Sequence, residues 1–202
     1  MVAPPASAAE AKRALRREAR ALRALHAGDP ATDFLPALRR VPAWGAARLV
    51  ALYLPFGAEP PTAALIADLR ARDHAACVPA WREETGAYGL AAFRDGDAVA
   101  PGPGGIPEPV ARRWTDPAAV DLFLLPGLLF DEAGTRLGHG RGHLDRLLAA
   151  RRPGAAVLGL AFPWQLLRGA AIPAEPHDVP MDAVVLPDGP VYPLKTTNFR
   201  SA

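Results

Sequence analysis

The segment from Arg136 to Leu148, R-L-G-H-G-R-G-H-L-D-R-L-L, sets three alternating glycines beside two cations, Arg136 and Arg141, and an acid, Asp145. Gly138, Gly140 and Gly142 remove every second Cβ, so the backbone can curl and turn its N–H groups toward an anion. Arg136 and Arg141 supply charge that the amides only partly provide. Leu144, Leu147 and Leu148 predict a helix starting here, whose positive end would face the same anion. Asp145 falls in its first turn, placed to carry Mg²⁺ beside a phosphate. The spacing is G-x-G-x-G, with neither the G-K-[ST] ending of a P-loop nor the G-x-G-x-x-G of a dinucleotide fold. Taken alone, such a glycine-rich run is more often just a turn, and other segments must agree before it is read as a phosphate loop.

A different chemistry uses the same residues. His139 and His143 lie four apart, with Asp145, His177 and Asp178 available, which is the raw material of a zinc hydrolase. Gly140 and Gly142 interrupt the helix that such a histidine pair needs, which argues against it. Cys77 follows Ala75 and Ala76 in an apolar run, the setting of a buried structural thiol.

The elements that must position these residues are legible in outline. Residues 8–26 predict a helix with Leu15, Leu22 and Leu25 on one side and Lys12 and five arginines around the rest, most of them a solvated face. A second helix is expected over Thr32–Arg40. Arg48–Leu54 reads as a strand covered on both faces, Pro61–Arg72 as a helix with proline first, and Ala76–Pro79 as a strand. That sequence of elements is the signature of a parallel crossover. Tyr88–Phe93 is a further strand and Gly96–Pro109 an extended loop. Val120–Leu125 is a buried strand leading to the glycine-rich loop and its helix. Ala156–Ala161 is a strand and Pro163–Arg168 a short helix. Ala183–Leu186 and Val191–Leu194 form a hairpin about Asp188-Gly189. Alternating strands and helices predict one three-layer α/β/α domain over residues 1–202, with a Rossmann-like, mostly parallel open sheet.

Composition narrows the class. Half of the 202 residues are hydrophobic, and the net charge is +2. Arginine makes up 21 of the 23 basic residues, a bias that does not by itself indicate nucleic-acid binding, and none is expected. A single cysteine excludes an internal disulfide. No run reaches the roughly 18 apolar residues of a membrane span, and the N-terminus lacks a signal-peptide pattern. A cytoplasmic protein without membrane contact is the expectation, as monomer or homodimer.

Several segments, in order, carry a resemblance. K-R-A-L-R at Lys12, Y-L-P-F-G-A-E-P-P-T at Tyr53, G-I-P-E-P at Gly105, the block from Asp121 to Arg146, L-G-L-A-F-P-W-Q at Leu158, and I-P-A-E-P-H-D-V-P-M-D at Ile172 together resemble the 5-formyltetrahydrofolate cyclo-ligase family. The resemblance implies a CoA-transferase-like version of the fold. It also implies ATP-dependent closure of 5-formyltetrahydrofolate to 5,10-methenyltetrahydrofolate, with release of ADP and phosphate. The formyl oxygen would attack the γ-phosphate, and N10 would attack the resulting imidoyl phosphate.

Carried over residue by residue, the resemblance implies ATP contacts from Lys12, Arg13, Arg16, Arg136, Leu137, Gly138, His139, Gly140, Arg141, Gly142, His143 and Leu144. Lys12, Arg141 and Asp145 would be catalytic, and Asp145 and Asp178 would associate with Mg²⁺. Leu54, Glu59 and His143 would meet the folate, Glu59 accepting from the pterin's donor edge. The family usually has G-Y-Y-D or G-S-Y-D where this chain has Gly142-His143-Leu144-Asp145. That departure motivates an alternative, a divergent paralogue that binds nucleotide or a folate-like ligand without closing the ring.

Overall fold

Leu122 and Leu124 enter one hydrophobic core while Phe123 and Leu125, their immediate neighbours, enter another. Side chains alternate across a strand, so this run must lie in a sheet covered on both faces. The computed structural model of the chain describes residues 7–26, 31–176, 178–189 and 191–193. Its elements run α1 (Ala8–Leu25), α2 (Leu35–Leu38), α3 (Pro42–Ala46), β1 (Leu49–Ala51), α4 (Ala63–Ala71), β2 (Ala75–Arg82), β3 (Ala87–Phe93) and β4 (Val99–Pro101). They continue through β5 (Pro107–Pro109), β6 (Trp114–Thr115), β7 (Leu122–Leu125), β8 (Leu129–Asp131), β9 (Arg136–Leu137) and α5 (His143–Ala149). The last are β10 (Ala156–Leu160), β11 (Leu166–Leu167), β12 (Ala183–Val185) and β13 (Val191–Pro193).

The main sheet has eight strands in the order β13-β12-β10-β7-β1-β2-β3-β6. The five central strands are parallel, and β13, β3 and β6 are antiparallel additions. Phe34, Leu38, Trp44, Leu65 and Leu69 cover one face from α2, its N-terminal flank, α3 and α4. Leu147 and Leu148 of α5 and Phe130 of β8 cover the other. The expected three layers and mostly parallel sheet are therefore present. From β1 the chain proceeds to β2 on one side, whereas from β7 it proceeds to β10 and β12 on the other. Ligands of open α/β sheets bind outside the carboxyl ends of strands at such a switch point, here between β1 and β7.

A second, three-stranded sheet, β11-β8-β9, stands beyond the carboxyl end of β7. It carries α1: Ala19 packs with Leu128, Leu129, Leu137 and Ile172. A capping box between Ser7 and Glu10 closes the helix's first turn.

Several expectations are corrected. On α1, Leu22 and Leu25 are exposed, the latter at 80%. Thr32–Arg40 yields only the four residues of α2 before hydrogen-bonded turns. The Pro61 helix begins after Thr62, which stands at the N-cap position without a side-chain capping bond, its hydroxyl donating instead to the Tyr53 carbonyl at 2.7 Å. The first strand is shorter than expected and the second longer. Gly96–Pro109 folds into the β4–β5 hairpin, and an unforeseen β8–β9 hairpin precedes the glycine-rich loop. Pro163–Arg168 is a 3-10 turn followed by β11, because Gln165 turns back to accept from Phe162 N at 2.9 Å. The 183–186 and 191–194 hairpin is present as β12–β13, with Leu194 outside the described residues. Cys77 is buried, and burial pushes its thiol up to about 12.

Candidate active site

Lys12, Arg16, Ala19 and Arg23 are spaced four, three and four apart, so they form one stripe along α1. That stripe, with Leu15 beside it but without the exposed Leu22 and Leu25, is the packed face of the helix. Lys12 is buried, and its Nζ pairs with Glu175 Oε2 at 2.8 Å and with Asp178. Arg16 Nε donates to the Gly138 carbonyl at 3.1 Å. Arg23 donates to the Phe56 carbonyl and lies 3.9 Å from Glu59. One helix thus ties together the three segments that follow β1, follow β9 and precede β12. Arg13, Arg17 and Arg20 are exposed, so Arg13 does not share the stripe.

The glycine-rich loop needs its glycines. A Cβ on Gly138 would sit 2.8 Å from Arg136 Nη1, and one on Gly140 would sit 3.1 Å from Arg16 Cζ. Gly140 and Gly142 also have φ of +93° and +64°, which L side chains rarely adopt. Arg136 is 9% exposed and holds Asp145 at 2.8 Å, while its Nε has no hydrogen-bond partner among the described residues. The side chains of Leu137 and Leu144 pack against hydrophobic clusters. Leu137 belongs to the cluster under α1, and Leu144 packs against the core of the α5 face. With only seven residues, α5 contributes little dipole, so the loop's positive charge rests on its arginines.

His143 points the other way from Leu144. Its ring makes edge contacts with Tyr88 at 5.1 Å and Trp81 at 6.1 Å, and those two rings meet at 5.2 Å. Trp81 and Tyr88 are opposite partners in the β2–β3 register, which is why they meet. Arg146 Nη2 lies 2.8 Å from His143 Nδ1. Arginine can only donate, so Nδ1 accepts and the imidazole keeps its proton on Nε2. Burial, then Arg146 and Arg141, lower the His143 pKa; burial and four arginines, led by Arg23, do the same at His139.

On the other side of α1, Tyr53 and Leu54 leave β1 for the turn that carries Glu59. Glu59 Oε2 accepts from Phe56 N at 3.0 Å, and burial raises its pKa against the pull of that N–H and of Arg23. Tyr53 donates to the Pro60 carbonyl and fixes the turn from beneath.

The zinc arrangement does not form. His139 and His143 are ringed by arginines that oppose a dication, and His143 Nδ1 is already engaged. Among the described residues no three His, Cys, Asp or Glu side chains converge on a metal position, and His177 lies outside them. For magnesium the residues present do fit. It takes oxygen ligands and needs only one or two carboxylates when phosphates supply the rest. Asp145 and Asp178, with Glu175 beside the latter, are hard oxygen donors next to cations that phosphate would engage.

Sequence reasoning missed Glu175, Arg23, Arg146, Trp81 and Tyr88. Arg23 was legible from the heptad-like spacing of the α1 stripe. Trp81 and Tyr88 required the β2–β3 register.

The fold is an open α/β sheet with a cationic glycine-rich loop tied to it through α1, and comparison with known proteins names its family. The family model of the 5-formyltetrahydrofolate cyclo-ligase family matches residues 6–187, so the chain belongs to that family, whose members are ligases that form a C–N bond. It is 33% identical over 155 residues to 5-formyltetrahydrofolate cyclo-ligase of Mycolicibacterium smegmatis, covering 73% of this chain and 78% of that one. It is 40% identical over 90 residues to the mitochondrial enzyme of that name from Arabidopsis thaliana, covering 40% of this chain and 32% of that protein. The solved structure of Aquifex aeolicus 5,10-methenyltetrahydrofolate synthetase superposes with a TM-score of 0.75 at 26% identity over 95% of both chains.

Proposed function

We propose that this chain catalyses ATP-dependent closure of 5-formyltetrahydrofolate to 5,10-methenyltetrahydrofolate. The observation that carries the reading is the α1 stripe. It joins the cationic loop, suited to the triphosphate, to the Leu54–Glu59 turn, suited to the pterin, at the switch point of the sheet. The family and the names of the relatives support the same reaction.

The formyl oxygen forms a bond to the γ-phosphorus while the bond to the ADP oxygen breaks. N10 then bonds to the formyl carbon and gives up its proton to solvent or the departing phosphate, and the carbon–oxygen bond breaks to release phosphate. Charge migrates across phosphoryl oxygens throughout, so the protein's task is position and cations. Lys12, Arg16, Arg136 and Arg141 are the cations, Arg141 being exposed and free to reach the nucleotide. Asp145 and Asp178 would hold Mg²⁺, which supplies charge neutralisation at the phosphates. Triphosphate binding would compete with Glu175 and Asp178 for Lys12. Glu59 accepts from the pterin's N–H edge, and the rings of Trp81, Tyr88 and His143 offer an aromatic surface in place of the tyrosine that the loop lacks.

We also place the protein in the cytoplasm, on its single buried thiol. No helix of the described residues is long and apolar enough to cross a membrane. Phosphate release tests the reaction. One phosphate per 5-formyltetrahydrofolate consumed is expected; folate binding without phosphate release would identify a non-cyclising paralogue instead.

A further inference from the structure

Glu108 belongs to G-I-P-E-P, a segment to which the reaction above gives no task. It lies in the β4–β5 hairpin, whose residues 99–101 and 103–105 are exposed, yet its own side chain is 0% exposed. Oε2 accepts from Trp81 N at 3.1 Å and from Arg112 Nη2 at 2.8 Å. The carboxylate packs over the α-carbon of Gly102, where a Cβ would come within 2.2 Å of it. Oε1 is buried with no hydrogen-bond partner among the described residues.

A buried carboxylate with an orphan oxygen and a partner that is one-third exposed costs stability. Such a group in a folded chain calls for a reason other than stability. The structure offers one. β1 ends at Ala51, so the β2 edge beyond Cys77 has lost its strand partner on that side. Glu108 takes the Trp81 N–H there, and Trp81 is the residue whose ring meets both Tyr88 and His143. At its tip the same hairpin reaches Phe56, whose ring would lie 3.7 Å from a Cβ on Gly105.

We infer that Glu108 is a positioning residue for the folate half of the site: its carboxylate clamps the free edge of β2 and so fixes Trp81 against Tyr88 and His143. The inference rests on the proposed placement of the pterin against these rings.

The test is kinetic, with both KM values determined in the full-length protein. Glu108→Ala is expected to raise the KM for 5-formyltetrahydrofolate about tenfold and to leave the KM for ATP within about twofold. Glu108→Gln, whose carbonyl can still accept from Trp81 N, should recover most of that loss. In a Trp81→Ala background, Glu108→Ala should add little, because the clamp has nothing left to hold. Gly102→Ala, which keeps the carboxylate but displaces it, should raise the same KM and serves if Glu108→Ala fails to fold. An unchanged folate KM in Glu108→Ala, equal effects on both KM values, or full additivity with Trp81→Ala would overturn the inference. A wild-type protein that turns over no folate would instead contradict the proposed function, and the two failures are thereby distinguished.

Discussion

At Gly140 two constraints meet, a φ of +93° and an Arg16 guanidinium 3.1 Å from where a Cβ would stand. Gly140→Ala must therefore strain the loop and push away Arg16, which donates to the Gly138 carbonyl. The expected result is an ATP KM raised by about tenfold or more with the folate KM little changed, read from steady-state kinetics. Lys12 offers a complementary test. Lys12→Gln removes one preorganised cation from the transferring phosphoryl group, and kcat should fall by about 10²-fold or more while circular dichroism stays native. A variant with wild-type turnover would remove Lys12 from the chemistry. His143 gives a pH test whose sign follows from its environment. Burial, Arg146 and Arg141 hold its pKa below its ordinary value of 6.5. In the window between the lowered value and 6.5 the unfolded chain therefore binds a proton that the folded chain refuses. Stability should rise with pH through that window and fall as the solution is acidified through it. His143→Gln should lessen the acid loss in urea titrations at pH values on either side of the window. An unchanged slope would show that His143 is not held neutral.

The elements hold these residues through a few close fits that sequence patterns do not display. Phe130 of β8 is fully buried and occupies space left by two glycines; Cβ atoms on Gly127 and Gly159 would lie 2.7 and 2.4 Å from its ring. Gly159→Ala in β10 is thus expected to overpack the core and destabilise the protein by about 1–3 kcal/mol, seen as a lower urea midpoint with an unchanged slope. Because β8 leads through β9 to the glycine-rich loop, the same substitution should also weaken nucleotide binding. The helix α1 shows why pattern and structure part company. Leu15, Leu22 and Leu25 promise an apolar face, yet Leu22 and Leu25 are exposed, and beside Leu15 and Ala19, which meet an apolar cluster, Lys12, Arg16 and Arg23 dock on carbonyls and carboxylates. A charged stripe can be an inward face when a polar site lies beneath it, and periodicity of hydrophobic residues alone cannot reveal that. Gly96–Pro109 is the converse case: its glycines and prolines read as loop, but the Glu108 carboxylate anchors a hairpin there.

At the scale of the whole molecule, the layered α/β architecture was legible because β1, β7 and β10 are short apolar runs spaced by helices. Of the proposed phosphate half, only the loop itself, Arg136 to Asp145, is local in sequence; Lys12, Arg16 and Asp178 lie far from it and were reached through the resemblance. The proposed pterin half was legible only in part: Leu54, Glu59 and His143 followed from the resemblance, whereas Trp81 and Tyr88 did not. It is assembled from Glu59 after β1, Trp81 and Tyr88 across the β2–β3 register, and His143 on α5, and no local spacing relates them. Leu144 illustrates the loss of information: at a position where the family often has tyrosine it turns inward, and the aromatic surface comes from other strands. The central claim is that both halves act on one substrate. The direct measurement is absorbance of the methenyl product when the purified protein is mixed with 5-formyltetrahydrofolate and MgATP. The account expects a protein-dependent rise that requires ATP; a trace no different from the ATP-free control would contradict it.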